Sequence, residues 1–379
     1  MRRAINKNLY FFFRIRYNGV RDTPYHLFKK GVLYMADKNI VFAAYCVAGA
    51  LADVTPEQAR RLTHLNIAFG VVIDNKINAD AIRRNRFYLE EIRSWNPDLQ
   101  ILISTGGGGA GGHGEATSPE HLEGFVQSTM DVVREFELDG IDCDWEFPCN
   151  TGHMEEKQQH VELMHAYRRE LDKYEAERGG KKCWLTIAAA AWDKYYRNTD
   201  VMGIIDVLDF INLMTYDIRD AAWAENYTGH HTNVFSPADS FYPDSIQFCV
   251  EKLKAIGVPA SKIVIGAAFY SHRWDGVPDV NHGMNQKVDC PCVYGPSYTA
   301  IYHIYEKSGE YVKYWDDTAK APWLFNGRSF ITYDDPMSMK YKAEYVLAAG
   351  LRGIMYWEHS SDKTGLLFNA IYENLFPTK

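Results

Sequence analysis

The sequence predicts an α/β fold, a (β/α)8 TIM barrel with a small α+β insertion domain between strands seven and eight. Two observations predict this fold. After Asn39, short apolar runs alternate with amphipathic segments through eight repeats, as the strands and helices of a parallel barrel do. Roughly 80 residues then separate the seventh run from the eighth, far more than a barrel loop needs. We therefore assign residues 39–270 and 341–379 to the barrel and residues 271–340 to the insertion domain.

The predicted strands are short apolar runs bounded by polar or glycine-containing segments. They cover residues 40–46, 65–70, 101–105, 140–146, 184–190, 208–216, 263–270 and 353–357. Helical segments lie between them. The clearest helix follows the start signal Ser118-Pro119, and a second over residues 244–256 ends at Gly257, as helices commonly do.

Composition and charge exclude several classes of protein. The formal net charge is −8 and no basic stripe is present, which argues against a nucleic-acid partner. No stretch approaches the roughly 20 apolar residues of a membrane span, so we expect no membrane partner. The seven cysteines lack the spacing of a disulfide framework or a zinc site. Cys290 and Cys292 form the only close pair and are assigned to a loop, so we predict no metal and no cofactor.

Residues 1–38 are basic and precede the first predicted strand. Their apolar patch, residues 9–13, is shorter than the apolar core of a secretory signal, and no small-residue cleavage site follows it. We treat the segment as an N-terminal extension that need not belong to the native chain, with Met35 as the hypothetical start. Detecting the Met1 peptide in native protein would refute that start. A cytoplasmic location is expected, and secretion stays open if the N-terminus is misassigned.

The most informative segment of the sequence is the fourth predicted strand. Asp142, Asp144 and Glu146 occupy alternate positions in it, so their side chains share one face, while the residues between them face a helix layer. Carboxylates about 7 Å apart in an interior cannot all ionise freely, and at least one pKa should rise. A carboxylic acid with a raised pKa is a proton donor near neutral pH. The alternative, a solvated acidic face, is disfavoured because the intervening apolar residues bury the strand at least in part.

Further candidate residues share one property, since each lies at the carboxyl end of a predicted strand, where barrel enzymes assemble their active sites. We expect their side chains to line the same cleft as the three acids. Met214 and Trp357 could instead be core residues, and Arg273 could pair with an acid of the insertion domain. The set comprises Tyr45 of strand one, Gly106 and Gly107 of strand three, Met214, Tyr216 and Asp217 of strand six, Tyr270 of strand seven with Arg273 just beyond it, and Trp357 of strand eight.

These residues resemble the motifs of glycoside hydrolase family 18, the chitinases and their relatives, over residues 39–376. The family pattern Asp-x-x-Asp-x-Asp-x-Glu is met by Asp139, Asp142, Asp144 and Glu146. The signatures Ser-x-Gly-Gly and Met-x-Tyr-Asp are met at residues 104–107 and 214–217. Trp357 stands where the family places its strand-eight tryptophan, and residues 271–340 resemble the family's α+β insertion domain.

The resemblance implies a retaining hydrolysis of β-1,4-linked N-acetylglucosamine, in chitin or chitooligosaccharides, with the acetamido group of the substrate as nucleophile. Glu146 would protonate the leaving oxygen and then activate water, and Asp144 would hydrogen-bond the acetamido N–H. Asp142 would share a proton with Asp144, and Tyr216 would donate its hydroxyl to the acetamido oxygen. The other candidates would line the sugar pocket, with Trp357 as its floor. The implied partner is an oligosaccharide or polysaccharide that contains N-acetylglucosamine.

One position departs from the family pattern, because Gly108 stands where many members carry a tryptophan of the sugar platform. Soluble oligosaccharides therefore fit the sequence better than crystalline polymer. Two alternative functions stay open: an endo-β-N-acetylglucosaminidase acting on the core of N-glycans, and a catalytically inactive, lectin-like carbohydrate-binding relative. Since inactive relatives typically lose the acid and Glu146 is present, hydrolysis is the first expectation. The sequence indicates no oligomeric state.

Overall fold

The computed structural model describes residues 40–219, 226–238 and 244–377. The strands of these ranges are β1 (Val41–Val47), β2 (His64–Ile73), β3 (Lys76–Asn78), β4 (Gln100–Gly106), β5 (Gly140–Asp144), β6 (Trp184–Ala190), β7 (Phe210–Met214), β8 (Ile263–Ala268), β9 (Tyr270–Asp275), β10 (Val293–Ser297), β11 (Val312–Asp316), β12 (Ala321–Phe325), β13 (Ser329–Thr332) and β14 (Gly353–Trp357). Eight parallel strands follow the order β1-β14-β8-β7-β6-β5-β4-β2, and pairing of β1 with β2 closes the ring. The predicted barrel is confirmed.

Helices connect the barrel strands and cover their outer face, and one short helix lies in the insertion. They are α1 (Pro56–Arg61), α2 (Asp80–Arg84), α3 (Arg86–Trp95), α4 (His113–Ala116), α5 (Leu122–Glu135), α6 (Glu156–Glu177), α7 (Asp193–Asn198), α8 (Val201–Ile204), α9 (Ile246–Ile256), α10 (Tyr298–Ala300), α11 (Pro336–Ala349) and α12 (Leu366–Leu375). The helix expected after Ser118-Pro119 begins at Leu122, because a turn occupies the residues before it. The α9 helix ends as predicted at Gly257, which adopts a left-handed conformation (φ 117°) that glycine tolerates without strain.

The alternation of side chains along each strand creates two separate apolar layers. On β1, Phe42, Ala44 and Cys46 pack outward against the helices. Val41, Ala43 and Tyr45 instead pack in the barrel interior. The same alternation on β5 sends Ile141 and Cys143 outward. Asp142 and Asp144 therefore face the interior, because alternate residues of a strand point to opposite sides.

The chain between β8 and α11 forms the predicted insertion, an antiparallel sheet in the order β10-β9-β13-β12-β11. Its own core contains several large aromatic side chains, among them Trp274, Trp323 and Phe330. Several predicted boundaries differ from the structure, and two of them concern the insertion. The strand predicted over 263–270 ends at Ala268, and Tyr270 begins β9 of the insertion sheet. The predicted boundary at residue 340 falls inside α11.

Two further sequence expectations concern the N-terminal extension and membrane-spanning helices. The predicted extension over residues 1–38, with its hypothetical start at Met35, lies outside the described residues. Within the ranges that the structure covers, every helix is too short or too polar to span a lipid bilayer.

Candidate active site

Asp142 lies inside the ring of strands and is fully buried. Its Oδ2 accepts hydrogen bonds from the hydroxyls of Tyr45 and Ser104, both at 2.8 Å. Its Oδ1 accepts from Thr186 Oγ1 at 2.5 Å and from Asn212 Nδ2 at 3.0 Å. Burial raises the pKa of Asp142, and the four donors oppose that rise because they stabilise the carboxylate. Since the donors come from β1, β4, β6 and β7, Asp142 connects four strands.

Asp144 points to the same side two residues later and is 4% exposed. Burial, and then the neighbouring carboxylates of Glu146 and Asp142, raise its pKa well above that of an ordinary aspartate. Its Oδ1 is buried and has no hydrogen-bond partner among the described residues. A buried acceptor without a donor costs free energy in a folded protein, so this oxygen is available for the N–H group of a ligand.

Glu146 lies two residues beyond the end of β5 and is partly buried. Burial first, and the charge of Asp217 second, raise its pKa to about 7, while a hydrogen bond with Asp144 acts in the opposite direction. Near neutral pH the side chain therefore exists in both protonation states. A group that must first donate and later remove a proton needs this property.

The fourth acid of the segment, Asp139, belongs to the opposite end of the barrel. It contacts Arg178 Nη2 at 2.9 Å and Lys181 Nζ at 2.7 Å, and it accepts a hydrogen bond from the backbone N–H of Ile101 at 3.0 Å. Burial alone would raise its pKa, but these bonds outweigh it and lower the pKa. Asp139 therefore orders the entry of β5 and takes no part in the cleft.

An aromatic group lies beside the three acids. Trp357 stacks on Phe69 with ring centroids 5.4 Å apart, and it meets Tyr45 edge-on at 6.0 Å. Tyr216 is buried next to them, and its pKa is raised by burial and then by Asp144. Met214 is partly buried and contacts both apolar layers. Sequence reasoning missed Phe69, although it falls at the end of the second predicted strand, where cleft residues were expected.

The turn after β4 brings the backbone close to the acids. Gly106 and Gly107 have φ angles of 103° and 95°, and Gly107 N donates to the carbonyl oxygen of Asp144 at 2.9 Å. A Cβ on Gly106 would lie 2.4 Å from the carbonyl oxygen of Asp144, and one on Gly107 would lie 2.6 Å from the ring of Phe69. The structure thus gives both glycines a positioning role. Gly108 follows beside Glu146. A Cβ added to Gly108 would lie 3.5 Å from the Glu146 Oε1 atom.

Asp217 anchors a second polar group, which we call the Asp217 cluster and which comprises Asp217, His231, Tyr270, His272 and Tyr294. Its Oδ1 accepts from Tyr270 Oη at 2.5 Å and lies 2.7 Å from His272 Nε2, while Tyr294 Oη donates to Oδ2 at 3.3 Å. Burial alone would raise the pKa of Asp217, but the adjacent imidazoles of His231 and His272 hold it well below its usual range. Sequence reasoning placed Tyr270 here and missed both histidines, which lie far apart in sequence and in no short motif.

Arg273, a predicted site residue, forms its ion pair within the insertion sheet. On β9, Tyr270 and His272 face the cleft, so Arg273 faces the opposite side. Its guanidinium contacts Asp275 Oδ1 at 2.8 Å, within the insertion sheet. The alternative expectation, pairing of Arg273 with an acid of the insertion, is thus observed, and a role of Arg273 in the sugar pocket stays a prediction.

A cavity of about 710 Å³ opens next to Tyr216 and Asp217. This volume is in the range of pockets that hold small ligands. Phe147 and Trp192 form one wall, with their rings edge to face at 5.0 Å, and Lys252 of α9 contributes another part. Motif reasoning missed these lining residues because they lie on loops and a helix beyond the strand ends.

A family model, that of glycosyl hydrolases family 18, matches residues 38–362, a range that includes every barrel strand and the insertion. The chain belongs to glycoside hydrolase family 18. The resemblance inferred from its motifs is confirmed.

Within family 18, Chitinase A1 of Niallia circulans is 34% identical, and the match covers 76% of this chain and 44% of that protein. The chain thus spans less than half the length of that relative. Chitinase B of Serratia marcescens is 28% identical over 85% of this chain and 77% of that protein. Among solved structures, a family 18 N-acetylglucosaminidase from Paenibacillus barengoltzii has 40% identity and a TM-score of 0.85, with 89% of this chain and all of that chain covered.

Proposed function

We propose that this family 18 protein hydrolyses β-1,4-linked N-acetylglucosamine oligosaccharides with retention of configuration, and that the substrate's acetamido oxygen is the nucleophile. The observation that carries the proposal is the unpartnered, buried Oδ1 of Asp144 beside an acid with a pKa of about 7. An acetamido N–H is a donor that satisfies this oxygen. The bond orients the acetamido carbonyl oxygen towards the anomeric carbon, and the Asp144 carboxyl group stabilises the positive intermediate.

Glu146 supplies the proton. In the first step the protonated carboxyl group transfers its proton to the glycosidic oxygen, the bond from that oxygen to the anomeric carbon breaks, and the acetamido oxygen bonds to the same carbon. In the second step the carboxylate removes a proton from water, which opens the cyclic intermediate and restores the configuration. Asp142, fixed by four donors, sets the position and charge of Asp144. Trp357 and Phe69 offer a ring surface for the apolar face of the sugar.

The experiment that tests the mechanism compares chitotetraose with its fully deacetylated analogue. We expect turnover of the first only, because the deacetylated sugar lacks the nucleophile. Glu146→Gln should lower kcat by roughly 10³-fold or more while oligosaccharide affinity is largely kept, since the amide cannot donate an acidic proton. Equal rates on the two substrates, or a near-normal rate in the variant, would refute the proposal. A high-mannose glycopeptide in parallel tests the endo-β-N-acetylglucosaminidase alternative, and binding without any product indicates a lectin.

A second candidate is stepwise release of single N-acetylglucosamine residues. The 40% identity to the Paenibacillus N-acetylglucosaminidase, over the whole of that chain, favours it. So does Gly108, which presents no side chain at a position beside Glu146 where a platform for further sugars could lie. Early products from chitohexaose labelled at its reducing end distinguish the candidates: monosaccharide and a pentamer indicate end-cutting, whereas mixed short oligomers indicate internal cleavage.

A further inference from the structure

The Asp217 cluster contains two imidazoles and a carboxylate whose ligand atoms all lie within 4.8 Å of one another. His231 is fully buried, and neither ring nitrogen has a hydrogen-bond partner among the described residues. Its nearest acidic atom is Asp217 Oδ1, which is 3.7 Å from Nδ1 and thus beyond hydrogen-bonding distance. Buried polar groups without partners are rare and call for an explanation. Asp217 interacts with both imidazoles, but only His272 lies within hydrogen-bonding distance of it, so the buried nitrogens of His231 have no partner at that distance.

The donor set matches the preferences of a zinc ion. Zinc takes imidazole nitrogen and carboxylate oxygen at about 2.0–2.1 Å in tetrahedral geometry, which places neighbouring ligand atoms about 3.3 Å apart. Asp217 Oδ1 lies 2.7 Å from His272 Nε2 and 3.7 Å from His231 Nδ1. One distance is shorter and the other longer than the spacing in a zinc site. Magnesium and calcium prefer all-oxygen sites, so two imidazoles favour zinc over either.

The surroundings are those of a prepared metal site. Histidine ligands usually engage their second ring nitrogen, and His272 Nδ1 lies 2.8 Å from Cys292 Sγ. The phenol of Tyr270 orients the Asp217 carboxylate. The charge of Lys342 reaches His231, and its pairing with buried Asp334 offsets part of that charge. Asp217 borders the 710 Å³ cavity, through which an ion and a fourth ligand can enter.

We propose that Asp217, His231 and His272 form a zinc-binding site whose fourth coordination position is open to the cavity. This proposal departs from the sequence analysis, which predicted no metal, because the three residues are separated in sequence and meet only in the folded chain. One consequence rests on the proposed function: zinc would inhibit hydrolysis, because it would occupy Asp217 at the edge of the sugar pocket. Zinc binding itself does not depend on that function.

The test is calorimetric titration of the metal-stripped full chain with Zn²⁺. We expect one site per chain, and affinity lowered by roughly 100-fold or more in both His272→Gln and His231→Gln. Two control variants remove adventitious ligands and should keep the affinity: His153→Gln, from an exposed pair with Glu155, and Cys290→Ser, an exposed thiol. Thermal melting with and without Zn²⁺ adds a second readout, since a bound ion raises Tm of the wild type and not of the two site variants.

Co²⁺ titration of the unmodified protein keeps the proposal testable if a histidine variant fails to fold. Tetrahedral coordination gives intense visible absorption bands, and Zn²⁺ should displace them. Absence of a stoichiometric site, an octahedral Co²⁺ spectrum, or equal affinity in wild type and both site variants would overturn the proposal. A protein that binds zinc but cleaves no N-acetylglucosamine oligosaccharide would refute the proposed function and leave the zinc site standing.

Discussion

At the scale of single residues, three neighbouring acids differ because their surroundings differ. Asp142 has a donor for each lone pair that it presents, whereas Asp144 has a buried oxygen with none. Glu146, which is less deeply buried than either aspartate, has a pKa of about 7. Carboxyl groups whose environments separate their pKa values can take different roles in one reaction, so burial and hydrogen bonding support the proposed assignment of acid and positioning residue.

The pKa of Glu146 predicts the pH dependence of hydrolysis. Because the first step needs the protonated form, kcat/KM should fall as pH rises through about 7. Asp217 is the second cause of the raised pKa, so Asp217→Asn should move this basic limb to lower pH. The measurement is kcat/KM on a soluble chitooligosaccharide between pH 5 and 9. A limb that stays in place in Asp217→Asn would contradict the electrostatic explanation.

At the scale of elements, strand alternation selects which side chains reach the cleft. On β5 it sends Asp142 and Asp144 inward, as the spacing predicted. On β9 it sends His272 towards Asp217 and Arg273 away from it, which the sequence did not predict because the break between β8 and β9 was not recognised. A shift of one residue along β9 therefore decides whether a side chain faces Asp217 or the opposite side of the sheet.

The turn after β4 provides a prediction at this scale. Gly106→Ala places a methyl group 2.4 Å from the carbonyl oxygen of Asp144 at a φ of 103°, so β4 and β5 must separate. We expect a loss of about 2–4 kcal/mol in the free energy of unfolding, measured with urea, and a drop in kcat because Asp144 moves. Gly49→Ala is the control, since its Cβ meets nothing within 4 Å. Similar stability in the two variants would show that the turn tolerates a side chain.

At the scale of the whole molecule, the barrel interior combines an apolar layer with buried carboxyl groups. The helices and the outer faces of the strands stabilise the fold through one continuous apolar core. The acids inside the ring destabilise it once they ionise, because charge is poorly solvated there. The active site is thus maintained at a cost that the outer layer offsets.

This cost predicts how stability varies with pH. The folded chain keeps a proton on Glu146 up to about pH 7, whereas the unfolded chain loses it near the ordinary value of 4.5. The folded state therefore binds more protons between these values, and the free energy of unfolding falls as pH rises through them. Glu146→Gln should remove about 2–3 kcal/mol of this fall, measured by urea unfolding at pH 4.5 and pH 8. Glu90→Gln, on the exposed face of α3, is the control, and an identical pH dependence in all three proteins would contradict the prediction.

Much of the fold could be predicted from the sequence because its signals are local. Eight apolar runs with turn residues between them specify strands, and their alternation with helical segments specifies parallel pairing. The shared orientation of Asp142 and Asp144 follows from a period of two along β5, whereas Glu146 lies two residues beyond the end of that strand. The exact ends of strands depend on neighbouring elements, which is why the strand predicted to reach Tyr270 stops at Ala268.

The sequence by itself determined the barrel, the face that carries Asp142 and Asp144, and the family to which the chain belongs, since each depends on patterns that are local in the sequence. Only the tertiary structure decided which groups surround those acids. Thr186 and Asn212 reach Asp142 from different strands, and His231 and His272 meet at Asp217 from distant segments. Side-chain pKa values and ligand sites depend on distances through space, which barrel closure sets and which separation along the chain does not reveal.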